Sequence, residues 1–216
     1  SLLQRHFSQH NSLLQALTVS RLLVREVKVR RFHRMKRTIA TIRTDLDSFS
    51  QWAMANFPFE PDESKQEQKR DEMMKAATAI IRGLIALARE SAEIQDTLRD
   101  IRAHEVMLRA FRIPPRKTAD IIADAAGTRL KRTEYYNKLL AELKGVMFEF
   151  MAAFCRNNSQ NQALLYEHLG ILMSEVFRTS AVGVMPNPMA VEALGEIFKN
   201  SASLVLRIPR ELFEQF

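Results

Sequence analysis

The segment FMAAFCRNNSQNQALLYEHL, residues 150–169, decides how this chain folds. Up to Cys155 it completes a helical pattern. Leu143, Val146, Met147, Phe150, Met151 and Phe154 alternate at three- and four-residue spacing, which lays one apolar stripe along a helix. Arg156-Asn157-Asn158-Ser159 breaks that pattern, and Gln160 to Leu169 starts another helix. Two N-caps fit the turn. Ser159 with Gln162 forms a capping box, and Asn158 is an equally good cap. Two amphipathic helices joined by a short polar turn make a helical hairpin, the unit of an α-solenoid. A second block, HEVMLRAFRIP at 104–114, lies upstream. Pro114-Pro115 ends it, because proline lacks the N–H and disfavours α geometry in the residue before it.

Composition agrees with an all-α class. Helix-forming Leu, Ala, Arg, Glu, Lys, Met and Gln are abundant, and only 6 of the 216 residues are Gly. The length suffices for one sizeable core or a short repeat array. The lone Cys155 excludes an internal disulfide and suits a reducing compartment. No apolar run reaches the ~20 residues of a membrane span. With no initiator Met and no signal-peptide pattern, the sequence reads as a piece of a longer protein. The net charge of +7 permits acidic partners and says nothing about fold.

The same two blocks carry a family resemblance. His104, Ile113-Pro114, Phe154-Cys155, Asn158, Asn161-Gln162 and His168 resemble the homology domain shared by inositol trisphosphate receptors and ryanodine receptors. Arg5-His-Phe-Ser-Gln9, followed by a helix ending at Trp52, resembles a segment upstream of that domain in the inositol trisphosphate branch. Pro115 departs from the family, which usually has Tyr there. The resemblance implies an armadillo-like α-solenoid on the cytosolic side of a tetrameric calcium release channel in the endoplasmic reticulum membrane. The partners so implied are neighbouring cytosolic domains of the same receptor. Nucleic acid is not expected as a partner, and the segment itself is expected not to span the membrane.

In chain order, residues 1–56 are expected to form a first long helical hairpin, with Leu2 to Val27 helical. Phe32, Met35, Ile39, Ile42, Leu46 and Phe49 then form a narrow apolar seam on one long helix. Residues 57–72 read as a charged loop, opened by Pro58 and Pro61. Residues 73–216 carry the homology helices. Met73 to Ser91 resumes a helix, and Ala92 to Arg112 follows with little punctuation. Pro115 to Thr133 reads as an insert on the solenoid surface, in which Thr118 is placed to cap a short helix over 119–126 that stops at Gly127. Glu175 to Met185 is weakly periodic. Asn187-Pro188 is a good N-cap and N1 pair for the helix over 189–199, and Pro209 opens the last segment.

No catalytic, cofactor or metal site is expected. His6 and His10 share a helix face, but the intervening glutamate of a zincin is absent and no third ligand follows. Asp45-Leu46-Asp47 is too short for a calcium loop. Cys155 sits in an apolar stripe, where thiols are inert packing. Arg116-Lys117-Thr118 and Lys131-Arg132-Thr133 place hydroxyls after basic residues, a weak modification signal. Arg25, Lys28, Arg30, Arg31, Arg34, Lys36 and Arg37, opposed only by Glu26, are candidate contacts to an acidic partner. Phe150, Phe154, Asn158, Ser159, Asn161, Gln162 and His168 are the candidate structural residues of the hairpin. The function expected is non-enzymatic regulation of an inositol trisphosphate-gated calcium release channel. The alternative is an unrelated armadillo-like adaptor whose basic face binds peptides, lipid or nucleic acid.

Overall fold

The computed structural model describes residues 2–54, 63–115, 128–181 and 187–208. These form nine helices among the described residues: α1 (Leu2–Met54), α2 (Glu63–Glu90), α3 (Ala92–Asp100), α4 (Ala103–Phe111), α5 (Thr128–Cys155), α6 (Ser159–Tyr166), α7 (Leu169–Ala181), α8 (Pro188–Phe198) and α9 (Ala202–Val205). The fold is all-α, with no strand among the described residues. No described helix is long and apolar enough to cross a membrane.

The chain divides into two units, Ser1–Thr38 and Ile39–Phe216. In the first, every described side chain from Ser12 to Arg31 is exposed. That includes apolar Leu13, Leu17, Val24 and Val27, whereas Met35 is buried.

The second unit is built around α5, which packs against both α2 and α8. Arg82 pairs with Glu142 and Arg89 with Glu149, each pair 60 residues apart, so α2 and α5 run parallel. α8 runs the same way. Its N-cap Asn187 lies beside Gly145, while Glu192, further along α8, meets Arg156 at the end of α5. The expected stripe of Leu143, Val146, Met147, Phe150, Met151 and Phe154 is buried throughout. Phe148, Ala152, Ala153 and Cys155 are buried too, so the stripe widens to most of the helix circumference. A helix apolar on nearly every side is a central one. Ring pairs cross-link the core, with Phe111 4.5 Å from Phe148 and Phe49 5.3 Å from Tyr136. Each fully buried Phe contributes roughly 1.5–3 kcal/mol of apolar burial.

Three expectations need correction. Residues 1–56 do not form a hairpin, because α1 is continuous from Leu2 to Met54. No Gly or Pro precedes Pro58, so nothing in that stretch reverses the chain. The charged loop over 57–72 is helical from Glu63 onward. Its Glu, Gln, Lys and Arg residues are good helix formers, and Gln68–Glu72 and Asp71–Lys75 bond at i,i+4 spacing. The rest of that loop lies outside the described residues, as do the helix over 119–126 and the segment after Pro209.

The helix expected over Ala92 to Arg112 is also broken, at Arg102, whose φ of 56° is left-handed. On one straight helix, Ile94 and Leu98 would face a different side from Ala103, Val106, Met107 and Ala110. All six are buried, so the core is served only by turning the chain between them.

Candidate functional site: the polar junction at the ends of the long helices

The turn after α5 is held by side chains rather than by packing alone. Asn157 takes φ 55°, the left-handed geometry that ends a helix. Asn158 then caps α6, its Oδ1 accepting from the Asn161 backbone N–H at 3.1 Å. Ser159 is the first helical residue and is exposed, so of the two caps left open by the sequence the structure selects Asn158. Asn158 also donates through Nδ2 to Asp96 at 3.1 Å.

Asn161 is wholly buried and both polar atoms of its side chain are bonded. It donates to the Phe154 carbonyl at 2.8 Å and the Gln95 carbonyl at 3.4 Å, and accepts from Arg99 at 2.9 Å. Gln162 donates to the carbonyls of Glu196 at 2.8 Å and Lys199 at 3.1 Å, at the end of α8. A buried network offsets its desolvation cost only when its members find partners, and each polar atom of the Asn161 side chain does so.

Beneath this turn lies an aromatic and imidazole cluster. Phe150 stacks on Phe154 at 5.8 Å, and Phe154 on His104 at 5.6 Å. His168 lies 6.2 Å from His104. His104 is 4% exposed, and its Nδ1 has no hydrogen-bond partner among the described residues. Burial lowers its pKa to about 4; Glu105 pulls upward, while His168 and Arg102 push further down. The imidazole is therefore neutral at pH 7. Cys155 is fully buried in the same region, and burial, aided by the charge of Glu196, pushes its thiol up to about 12. A thiol so raised is a poor nucleophile.

His104, Phe154, Asn158, Asn161, Gln162 and His168 thus meet in one region, with Phe150 at its edge. The basic residues Arg25, Lys28, Arg30, Arg31, Arg34, Lys36 and Arg37 belong to the other unit, and all are exposed. Arg30 pairs with Glu26. Among the described residues, no group of three His, Cys, Asp or Glu side chains is placed to hold a metal ion. Thr133 is buried on α5, which removes it from ready modification, while Thr118 lies outside the described residues.

Sequence reasoning missed two features. One is a buried ion pair, Lys144 on α5 with Glu175 on α7, at 2.7 Å. Only the apolar surroundings of Lys144 in the sequence hint at it. The other is Gln95. It donates to the carbonyls of Ala153 at 2.9 Å and Arg156 at 3.1 Å, at the end of α5. Gln95 is the fourth residue after the N-cap Ser91, as Gln162 is the fourth after the N-cap Asn158. Arg89-Glu-Ser-Ala-Glu-Ile-Gln95 and Arg156-Asn-Asn-Ser-Gln-Asn-Gln162 share a basic residue, a cap and a glutamine at one spacing. That shared spacing is a legible signal. No protein family model matches the chain.

Proposed function

We propose that this chain is a non-enzymatic, armadillo-like regulatory segment of a calcium release channel similar to the inositol trisphosphate receptors. In this reading the channel is a homotetramer of the endoplasmic reticulum membrane, and the segment lies on its cytosolic side. It passes conformational change between ligand-binding and pore regions through contacts with neighbouring domains. One observation carries the reading. Of the residues that resemble the receptor homology domain, His104, Phe154, Asn158, Asn161, Gln162 and His168 converge on the junction that ties α3, α4, α5, α6 and α8 together, while Pro114 lies further back along α5, where its carbonyl accepts from Tyr136. Residues kept for reaction chemistry would gather around an open cleft. Those at the junction are bonded or stacked together, and all but the half-buried His168 are buried, as suits a force-bearing joint.

The test uses the full-length protein in permeabilised cells. Inositol trisphosphate is expected to release stored calcium, and Asn161→Ala is expected to weaken that release while the protein still assembles. Absence of ligand-evoked release from the unsubstituted protein overturns the reading.

A second reading is favoured by the exposure of every one of the seven basic side chains on α1. There the chain is an adaptor for an acidic partner, such as an acidic peptide, lipid or nucleic acid. Binding that falls steeply with salt, and that Arg30→Glu with Arg34→Glu abolishes, supports it. Binding insensitive to both removes it.

A further inference from the structure

Two interfaces in the second unit are built from the same parts. At the first, Arg89 at the end of α2 reaches Glu149 on α5 at 2.9 Å, and Gln95 on α3 donates to two carbonyls at the end of α5. At the second, Arg156 at the end of α5 reaches Glu192 on α8 at 2.7 Å, and Gln162 on α6 donates to two carbonyls at the end of α8. In both, the accepting carbonyls are three residues apart. In both, the paired glutamate lies four residues before the first of those carbonyls. The turns also correspond. Asn157 and Asn200 are both left-handed, and Asn158 and Ser201 follow them at the start of the next short helix.

A third segment repeats the turn without the clamp. Lys199-Asn-Ser-Ala-Ser-Leu-Val205 places Val205 where the other two segments have glutamine. Val205 is 48% exposed, and among the described residues no long helix follows α9.

We infer that α2–α3, α5–α6 and α8–α9 are three copies of one module, and that the glutamine amide with the arginine–glutamate strut is a repeated latch. Each of the first two modules holds the C-terminal end of the next module's long helix. Displacement of one long helix therefore reaches its neighbour at a defined point, the last turn, where carbonyls lack partners inside the helix. The glutamine supplies donors for two of those carbonyls. The strut fixes the neighbouring helix one to two turns earlier, so the latch resists both sliding and rotation. This inference does not depend on the receptor reading; it holds for any protein that contains these modules.

The test is residue-resolved amide exchange on the 216-residue chain carrying Gln162→Glu. The substitution keeps side-chain size but removes the donor at neutral pH. Protection of amides in the last turn of α8 and in the turn that follows it is expected to fall by about tenfold or more relative to the parent. Amides of α2 and α3 are expected to exchange as in the parent. Acidification that protonates the introduced carboxyl restores an O–H donor, so protection should return toward that of the parent at the same pH. Gln95→Glu should move the loosened region to the end of α5. Uniform loss of protection across the unit, no loss at α8, or no recovery on acidification overturns the latch. Should Gln162→Glu fail to fold, Arg156→Gln at a partly exposed site breaks the ion pairs to Glu192 and Glu196, both on α8, and its effect must be confined to α8 and α9. An effect centred elsewhere also overturns it.

Discussion

Asn158 and Ser159 differ by one position, and only the first has a side chain aimed at the orphan N–H groups of α6. Asn158→Ala is expected to cost about 1 kcal/mol for the cap. Loss of the bond to Asp96 adds to that cost. Ser159→Ala is expected to change stability by less than about 0.5 kcal/mol, since it alters an exposed helical position. Urea unfolding of the two variants gives the comparison, and equal effects would reject the cap assignment. Phe154, with no exposed surface and two ring neighbours, should cost roughly 3–5 kcal/mol as Phe154→Ala.

His104 sets a pH dependence whose sign follows from its surroundings. Its folded pKa of about 4 lies below the ordinary 6.5. Between those values the unfolded chain binds a proton that the folded chain does not. The contribution is complete above pH 6.5 and is lost as the pH falls toward 4, on the order of 3 kcal/mol at most. His104→Phe, which keeps a ring against Phe154, should remove that part of the slope. The check is the urea midpoint at pH 7 and at pH 4.5 for both proteins.

At the scale of helices, periodicity placed α5 from Leu143 onward and the turn after it, because burial of Phe150 and Phe154 and the polar Arg156–Ser159 run speak through local sequence, whereas residues 128–133, expected in the surface insert, instead open α5. The break at Arg102 was not legible. It is set by which faces the core accepts, and Arg has no intrinsic preference for the left-handed region. The charged stretch after Pro61 misleads for the opposite reason, since charge density suits a solvated helix as well as a loop. Gly145 shows how one helix constrains another. A Cβ there would lie 2.9 Å from Nδ2 of Asn187, whose Oδ1 caps α8 by accepting from Met189 N–H at 2.9 Å. Gly145→Ala alone should therefore gain little, because helix propensity is offset by a displaced cap. In an Asn187→Ala background the same change should stabilise by about 1 kcal/mol. Additive effects in that double-mutant cycle would rule out the coupling.

Across the whole molecule, the candidate site was half legible. Asn158, Asn161, Gln162 and His168 stood out by resemblance; Gln95 was signalled only by its spacing from Arg89 and Ser91, and the Lys144–Glu175 pair emerges only when distant segments are brought together. Cys155, the sole cysteine, offers a direct reading of how that assembly opens. Buried, with its thiol raised to about 12, it should resist a thiol reagent at pH 8 in the folded protein and react at once in denaturant. Gln162→Glu should leave its labelling rate less affected than Gln95→Glu, because only Gln95 binds the end of α5 directly. The reverse order would conflict with the assigned contacts.

The shared direction of α2, α5 and α8 has an electrostatic consequence. Parallel helices bring like ends of their macrodipoles together, so partial negative charge accumulates along one edge of the unit. That edge is where Arg89, Arg156 and Lys199 follow or close the long helices. Removing any one of these cations exposes its neighbours' negative poles as well as its own, so losing two together should cost more than twice losing one.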